Sequence, residues 1–174
     1  MQSVEVNVRD EFWKHYALNE LRPQEWEALC DGCGQCCLVR HVSEHQVTVF
    51  NIACQLLDIE HSRCSDYHNR LEKVPYCHPL TPASVAQYSW LPESCTYRRL
   101  QRGEDLPSWH PLLVGSKEQM HTLGITVNRS AVHVQHIPAV ERRLPMLAMH
   151  APVEMEGPAG LGAHAGAVLA DCCD

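Results

Sequence analysis

Four of the ten cysteines in this 174-residue chain fall within eight residues, as Cys30-Asp31-Gly32-Cys33-Gly34-Gln35-Cys36-Cys37. No other feature restricts the fold as strongly, because sulfurs spaced C-x2-C-x2-C-C need a common use and the flanking chain must be arranged around it. Four more cysteines, Cys54, Cys64, Cys77 and Cys95, follow at intervals of ten to eighteen residues.

A C-x2-C turn places two sulfurs on one side of a tight knuckle, within reach of one metal. A glycine after the second cysteine permits positive φ, so that backbone N–H groups can face sulfur. Residues Cys30 to Gly34 have this form, and Cys33-Gly34-Gln35-Cys36 overlaps it as a second copy. Three sulfurs so spaced match the first three ligands of a ferredoxin-type iron–sulfur run. The fourth does not, because it is the adjacent Cys37, whose side chain is expected to point elsewhere. A four-thiolate zinc site would instead draw two ligands from the knuckle and two from afar. The expected metal ligands are therefore Cys30, Cys33, Cys36 and Cys37 as the first set and Cys54, Cys64, Cys77 and Cys95 as the second. The spacing leaves zinc and an iron–sulfur cluster both open, in one site with spare thiols or in two sites of four. Burial as small hydrophobes suits Cys54 or Cys95 singly but does not account for the cluster. Thiol redox chemistry at Cys36-Cys37 lacks a thioredoxin-like context.

The formal net charge of −7 argues against a general nucleic-acid binder, which needs a basic face to displace counterions, and against an anionic membrane surface. No apolar run approaches the roughly 20 residues of a membrane helix. Met1 to Asp10 lacks the basic and then apolar pattern of a secretory signal. The chain thus reads as cytoplasmic, where thiols stay reduced and serve metals more often than disulfides. No phosphate loop, nucleophile elbow or H-E-x-x-H motif is present.

Around the cluster, Phe12, Trp13, Tyr16, Ala17 and Leu21 recur at helical spacing. Pro23 starts a second helix that Gly32 ends. Val42, Val47, Val49, Phe50 and Ile52 suggest a short hairpin turning at Ser43-Glu44-His45, and Cys54 to Asp58 a helical turn. Further helices are expected from Ser65 to Lys73, from Thr81-Pro82 to Tyr88, from Cys95 to Arg102 and from Lys117 to Leu123. Ile125 to Val127 and Val132 to Ile137 read as strands. The expected fold is one compact, helix-rich α+β domain with short β-strands over residues 1–138, organised around the cysteine cluster. Residues 139–174 read as a flexible Ala/Gly-rich tail, with Cys172-Cys173 apart from the main site.

These residues resemble the YcgN-like family within the YkgJ-type cysteine-cluster proteins, described as zinc- or iron-chelating. The resemblance rests on Phe12-Trp13, on Glu25-Trp26-Glu27-Ala28-Leu29 leading into the cluster and Leu38, and on Ala53-Cys54. It continues through Cys64 with Tyr67 and Arg70, Pro75-Tyr76-Cys77, Trp90-Leu91-Pro92, Cys95-Thr96-Tyr97-Arg98 and Leu106 to Leu112. It implies a metal-binding protein whose activity is not established. Two departures stand out: Ser62 precedes Arg63-Cys64 where the family usually has a cysteine, and the chain after about Asn128 differs.

Other candidates carry less weight. His41 and His45 share a face only on a helix, against the local β pattern. His110 and His121 are possible additional ligands or proton carriers, and Trp109 a packing residue. Arg70 and Arg98 are open as counter-charges to thiolates, whereas Arg99 and Arg102 read as solvated; Asp31 is a hydrogen-bonding or capping residue of the knuckle. The function expected is a metal-binding protein holding zinc or an iron–sulfur cluster, with no nucleic-acid or membrane partner. An iron–sulfur redox carrier or enzyme, and a zinc-stabilised interaction scaffold, are the alternatives.

Overall fold

The fold is described from a computed structural model over residues 8–42, 47–127 and 129–138, with the backbone alone at 152–154. The cysteine run joins two differently built halves. Before it stand short helices, α1 at Phe12–His15 and α2 at Pro23–Ala28. After it comes a sheet, in which β1 (Leu38–Val42) pairs antiparallel with β2 (Val47–Ala53), Leu38 opposite Ala53 and Val42 opposite Val47, with a register shift between Leu38 and Arg40.

Strand β2 is the spine of this sheet because both its faces are apolar. Its odd positions Val47, Val49 and Ala53 pack with Leu38, Leu57, Val127 and Ala131. Its even positions Phe50 and Ile52 pack with Val39, Val134 and Ile137. This is the period-2 alternation of a strand covered on both sides. Burying a side chain such as Phe50 or Ile52 contributes roughly 1.5–3 kcal/mol. A two-residue ladder follows, β3 (Leu57–Asp58) with β4 (Arg63–Cys64), Leu57 opposite Cys64.

Four more short helices follow: α3 at Arg70–Lys73, α4 at Pro82–Val85, α5 at Thr96–Gln101 and α6 at Pro111–Val114. Helix α4 starts at a reciprocal cap, in which Ser84 N–H donates to Thr81 Oγ1 at 3.1 Å and Thr81 N–H to Ser84 Oγ at 2.9 Å. Helix α7 (Glu118–Thr122) precedes β5 (Val132–His133), which pairs parallel with the end of β2. Strand β6 (Pro152–Glu154) pairs antiparallel with Thr48–Phe50. A third core, of Phe12, Leu29, Val85, Tyr97 and Leu106, holds the helical half together, with Trp26 packed against it.

The α+β class with short strands matches the sequence. Several bounds do not. The expected first helix divides into α1 and a 3-10 turn at Leu18–Glu20, because Tyr16 and Ala17 are extended. Cys54 to Asp58 is a turn leading into β3, and the helix expected from Ser65 begins only at Arg70. Ile125 to Val127 forms no strand, and Val132 to Ile137 is a strand only at its first two residues before a 3-10 turn at Val134–His136. The expected turn at Ser43-Glu44-His45 and nearly all of the expected tail, including Cys172 and Cys173, lie outside the described residues. Among the described residues, no helix is long and apolar enough to cross a membrane.

Candidate metal centre

Helix α2 delivers the first cysteine. Its buried Glu25 accepts from Arg9 Nε at 2.7 Å and Nη2 at 2.6 Å, and from the backbone N–H of Arg22 at 2.9 Å. This anchors the helix start, and Leu29 locks its end into the helical core. The chain then turns through two left-handed glycines, Gly32 at φ +72° and Gly34 at φ +74°. Asp31 is buried and accepts from Cys33 N–H at 3.0 Å through Oδ1, an Asx turn that shapes the knuckle. Its other oxygen, Oδ2, is buried without a hydrogen-bond partner among the described residues. Gly34 has no room for a side chain: a Cβ there would lie 2.9 Å from Val127 Cγ2 and 3.2 Å from Ser62 Cβ.

Six of the predicted ligands, Cys30, Cys36, Cys37, Cys54, Cys64 and Cys77, line a single cavity of about 180 Å³. That is well above the roughly 10–15 Å³ that one water needs. They arrive from four separate parts of the chain: the knuckle, the end of β2, strand β4 and the turn after α3. Cys33 and Cys95 do not line the cavity. Cys33 is buried within the knuckle, and Cys95 sits at the N-cap of α5, packed against the helical core. All eight are free thiols. Among the described residues, no three His, Cys, Asp or Glu side chains close on one point as a single bound ion requires. The thiols stand around a space instead of meeting in it.

Burial sets the proton affinity of most of these thiols. It pushes Cys30 up to about 12, although this thiol is open to the cavity, and Cys95 up to about 11. It also raises Cys33, Cys54 and Cys77. Cys36 goes the other way, because the Cys37 thiol donates to it and Arg40 stands close; Cys37 is raised in exchange. The adjacent pair therefore favours one thiolate and one thiol.

Arg40 is the residue that sequence reasoning missed. Its side chain lines the cavity yet the residue is only 3% exposed. It donates to the carbonyls of Gln35 at 2.7 Å, Leu38 at 3.1 Å and Trp90 at 3.2 Å, and its guanidinium stands 4.5 Å from the centre of the Trp90 ring. Among the described residues no carboxylate pairs with it, so the nearest groups able to balance its charge are thiolates. The available signal was a lone cation among apolar strand residues, three positions after the cluster.

The other candidates divide. His110 is fully buried and both ring nitrogens are used. Nδ1 accepts from Leu112 N–H at 3.0 Å, so the proton is on Nε2, which donates to Leu29 C=O at 3.0 Å. It is a packing and positioning residue, not a ligand. His121 is paired to Thr126 Oγ1 at 3.0 Å and takes no part in the cavity lining. Arg70 does line the cavity, 3.7 Å over the Tyr67 ring, whose hydroxyl donates to Glu27 at 2.9 Å. Arg98 is buried but points to the Leu91 carbonyl and Glu93. Ser62 is buried, left-handed at φ +50°, and its hydroxyl has no partner among the described residues. It packs against Gly34, so the position at which the resemblance leads one to expect a cysteine lies beside the knuckle.

Residues 29–96, a span containing all eight cysteines, match the model of a family described as "CxxCxxCC: Putative zinc- or iron-chelating domain". The chain is 50% identical over 124 residues to a UPF0260 protein of Shewanella amazonensis, covering 70% of this chain and 85% of that one. It is 47% identical over 135 residues to a UPF0260 protein of Gluconacetobacter diazotrophicus, covering 76% and 84%. A UPF0260 protein of Pseudomonas putida is 45% identical over 128 residues, covering 72% and 85%. No solved structure matches the chain.

Proposed function

The chain belongs to the UPF0260 family, and from that premise we propose that it is a metal-binding protein whose cysteines hold a polynuclear iron–sulfur group. The observation that carries this reading is that six of the eight cysteines line one cavity. A structural zinc site is closed and tetrahedral, with four ligands meeting at one ion. Thiols standing around a wider space suit a group with several metal atoms and bridging sulfide. Cys30 and Cys36, which line the cavity, belong to a C-x2-C-x2-C spacing that supports the same choice.

Two further features bear on the charge that such a group would meet. Asp31 Oδ2 is a buried, unpartnered carboxylate oxygen in the knuckle, and a nearby cation would compensate it. Arg40 is a buried cation with no carboxylate partner among the described residues, and it offsets the surplus negative charge that several thiolates bring. When bound, an iron–sulfur cluster supplies electron transfer or Lewis acidity. The protein's own part is to hold the thiolates, to exclude bulk water with Trp90, Tyr97 and Val74, and to fix charge through Arg40. The cytoplasmic setting expected from the sequence is compatible with such a group.

The test is anaerobic purification followed by metal and acid-labile sulfide analysis and an absorption spectrum. Iron with sulfide and broad visible absorption supports the proposal. Stoichiometric, colourless zinc replaces the cluster with a structural metal, and absence of any metal after loading with zinc or with iron and sulfide overturns the reading.

A further inference from the structure

Resting on that metal-binding reading, we infer that the eight cysteines form two four-thiolate sites that meet at the Cys36–Cys37 peptide: Cys30, Cys33, Cys36 and Cys95 in one, and Cys37, Cys54, Cys64 and Cys77 in the other. This differs from the grouping by sequence, in which the four clustered cysteines belong together.

The division begins in the backbone. Gln35–Cys37 is a 3-10 turn. At three residues per turn, successive side chains diverge by about 120°, so Cys36 and Cys37 cannot face one centre alike. The Cys37 thiol still reaches Cys36, so the two sites would meet along this edge, with a different core on either side. Cys37 packs against the sheet core that contains Leu38, Ala53 and Leu57. Cys95 packs at the edge of the helical core, which contains Leu29, the residue before Cys30.

Hydrogen bonds bring the remaining ligands to the same sides. Tyr97 Oη donates to the Trp26 carbonyl at 2.8 Å, tying the start of α5, and thus Cys95, to α2, whose last residue Ala28 stands two before Cys30. On the other side, Cys54 N–H donates to the Cys37 carbonyl at 2.8 Å, and Leu57 N–H to the Cys54 carbonyl at 3.0 Å. Leu57 pairs with Cys64 across the β3–β4 ladder. Gln55 Nε2 donates to the Lys73 carbonyl at 3.2 Å, and Cys77 N–H to that of Val74 at 2.9 Å, which hold the turn after α3 against the Cys54 turn.

Electrostatic neighbours follow the same lines. Cys95 acts on Cys30, and Cys30 and Cys36 act on Cys33. Cys54 and Cys64 act on Cys37 and on Cys77. Cys36, at the junction, is felt on both sides. The arrangement parallels ferredoxin-type runs, in which three closely spaced cysteines serve one cluster with a remote fourth, and the last cysteine of the run serves the neighbouring cluster.

The experiment uses the full chain loaded anaerobically with iron and sulfide, and separately with zinc. Metal per folded chain is measured for wild type, C95S, C77S, C33S/C95S and C95S/C77S, with circular dichroism confirming the fold. C95S and C77S are each expected to retain half of the wild-type metal, C33S/C95S also half, and C95S/C77S almost none. Loss of all metal in C33S/C95S, or of none in C77S, overturns the division. Because variants can fail to fold, wild type half-loaded with metal is also alkylated and mapped by mass spectrometry. Protection of either block of four supports the division, and protection that mixes Cys37 with Cys30 overturns it. If wild type takes up neither metal, the metal-binding reading falls with the division. If it loads but the blocks mix, the division alone falls.

Discussion

Replacing Arg40 by methionine removes a buried charge while keeping most of the volume. In the structure its guanidinium donates to three carbonyls, those of Gln35, Leu38 and Trp90, and stacks on Trp90. Hydrogen bonds from a charged donor contribute roughly 1.5–3 kcal/mol each, and a desolvated cation–π contact about 1–2 kcal/mol. Relief of the guanidinium's burial offsets a large part of that sum, leaving a net loss of about 3 kcal/mol in the metal-free protein. At roughly 2–4 °C per kcal/mol for a chain of this size, R40M should melt about 6–12 °C lower. R40K restores the charge but not the planar fork that reaches all three carbonyls, so it should fall between R40M and wild type. Metal binding separates the two roles of Arg40. Residues that support ligands typically change metal affinity by about 10–100-fold when lost, so R40M should weaken retention on that order and R40K should recover much of it. The assays are thermal unfolding followed by circular dichroism and competition with a chelator. An R40M protein melting within about 2 °C of wild type, with unchanged metal retention, would refute the assignment of Arg40 as the fixed charge of the centre.

Glu25 is held by Arg9 at about 2, below the ordinary 4.5, so its contribution is complete above pH 4.5 and is lost as pH falls through about 2. In E25Q, acid titration by circular dichroism should show less pH-dependent loss of stability between those values; an unchanged slope counts against the ion pair. H110F leaves the Leu29 carbonyl without its donor and should lower stability by about 1–3 kcal/mol in thermal melts. Its metal content should stay at the wild-type level, whereas loss of metal without loss of fold would return His110 to the ligands. G34A meets both a left-handed backbone and a contact 2.9 Å from Val127, while G103A, at φ +77°, meets open space. G103A should thus cost only the roughly 1–2 kcal/mol of the backbone conformation and G34A distinctly more, and equal melting temperatures would contradict the packing described for the knuckle.

Local chemistry was the most legible part of the chain. Pro23 does open α2, Thr81-Pro82 opens α4, and Gly34 and Gly103 take left-handed conformations at turns; Gly32 is left-handed too but turns the knuckle instead of ending α2, which already stops at Ala28. Where the fold carries each cysteine was not legible. Cys37 follows Cys36 in sequence but packs against the sheet core, and Cys95 packs against the helical core, where α5 is tied to Trp26 of α2. Such pairings depend on which core each residue joins, and no spacing rule encodes that. The β3–β4 ladder was missed because two-residue strands leave no periodicity to read. Helix lengths were overestimated where apolar spacing continued past the point at which the backbone extends, as at Tyr16 and Ala17. His110 looked like a ligand because histidine chemistry permits it. Only its two hydrogen bonds show that both nitrogens are occupied.

The central claim is that sulfur from these cysteines holds a metal group. X-ray absorption at the metal edge of the loaded, full-length protein tests it most directly. The account predicts a first coordination sphere of sulfur alone, at about 2.3 Å if the metal is zinc, with a metal–metal distance as well if the group is a cluster. A first sphere dominated by nitrogen or oxygen, or a protein that binds no metal after either loading, would contradict it.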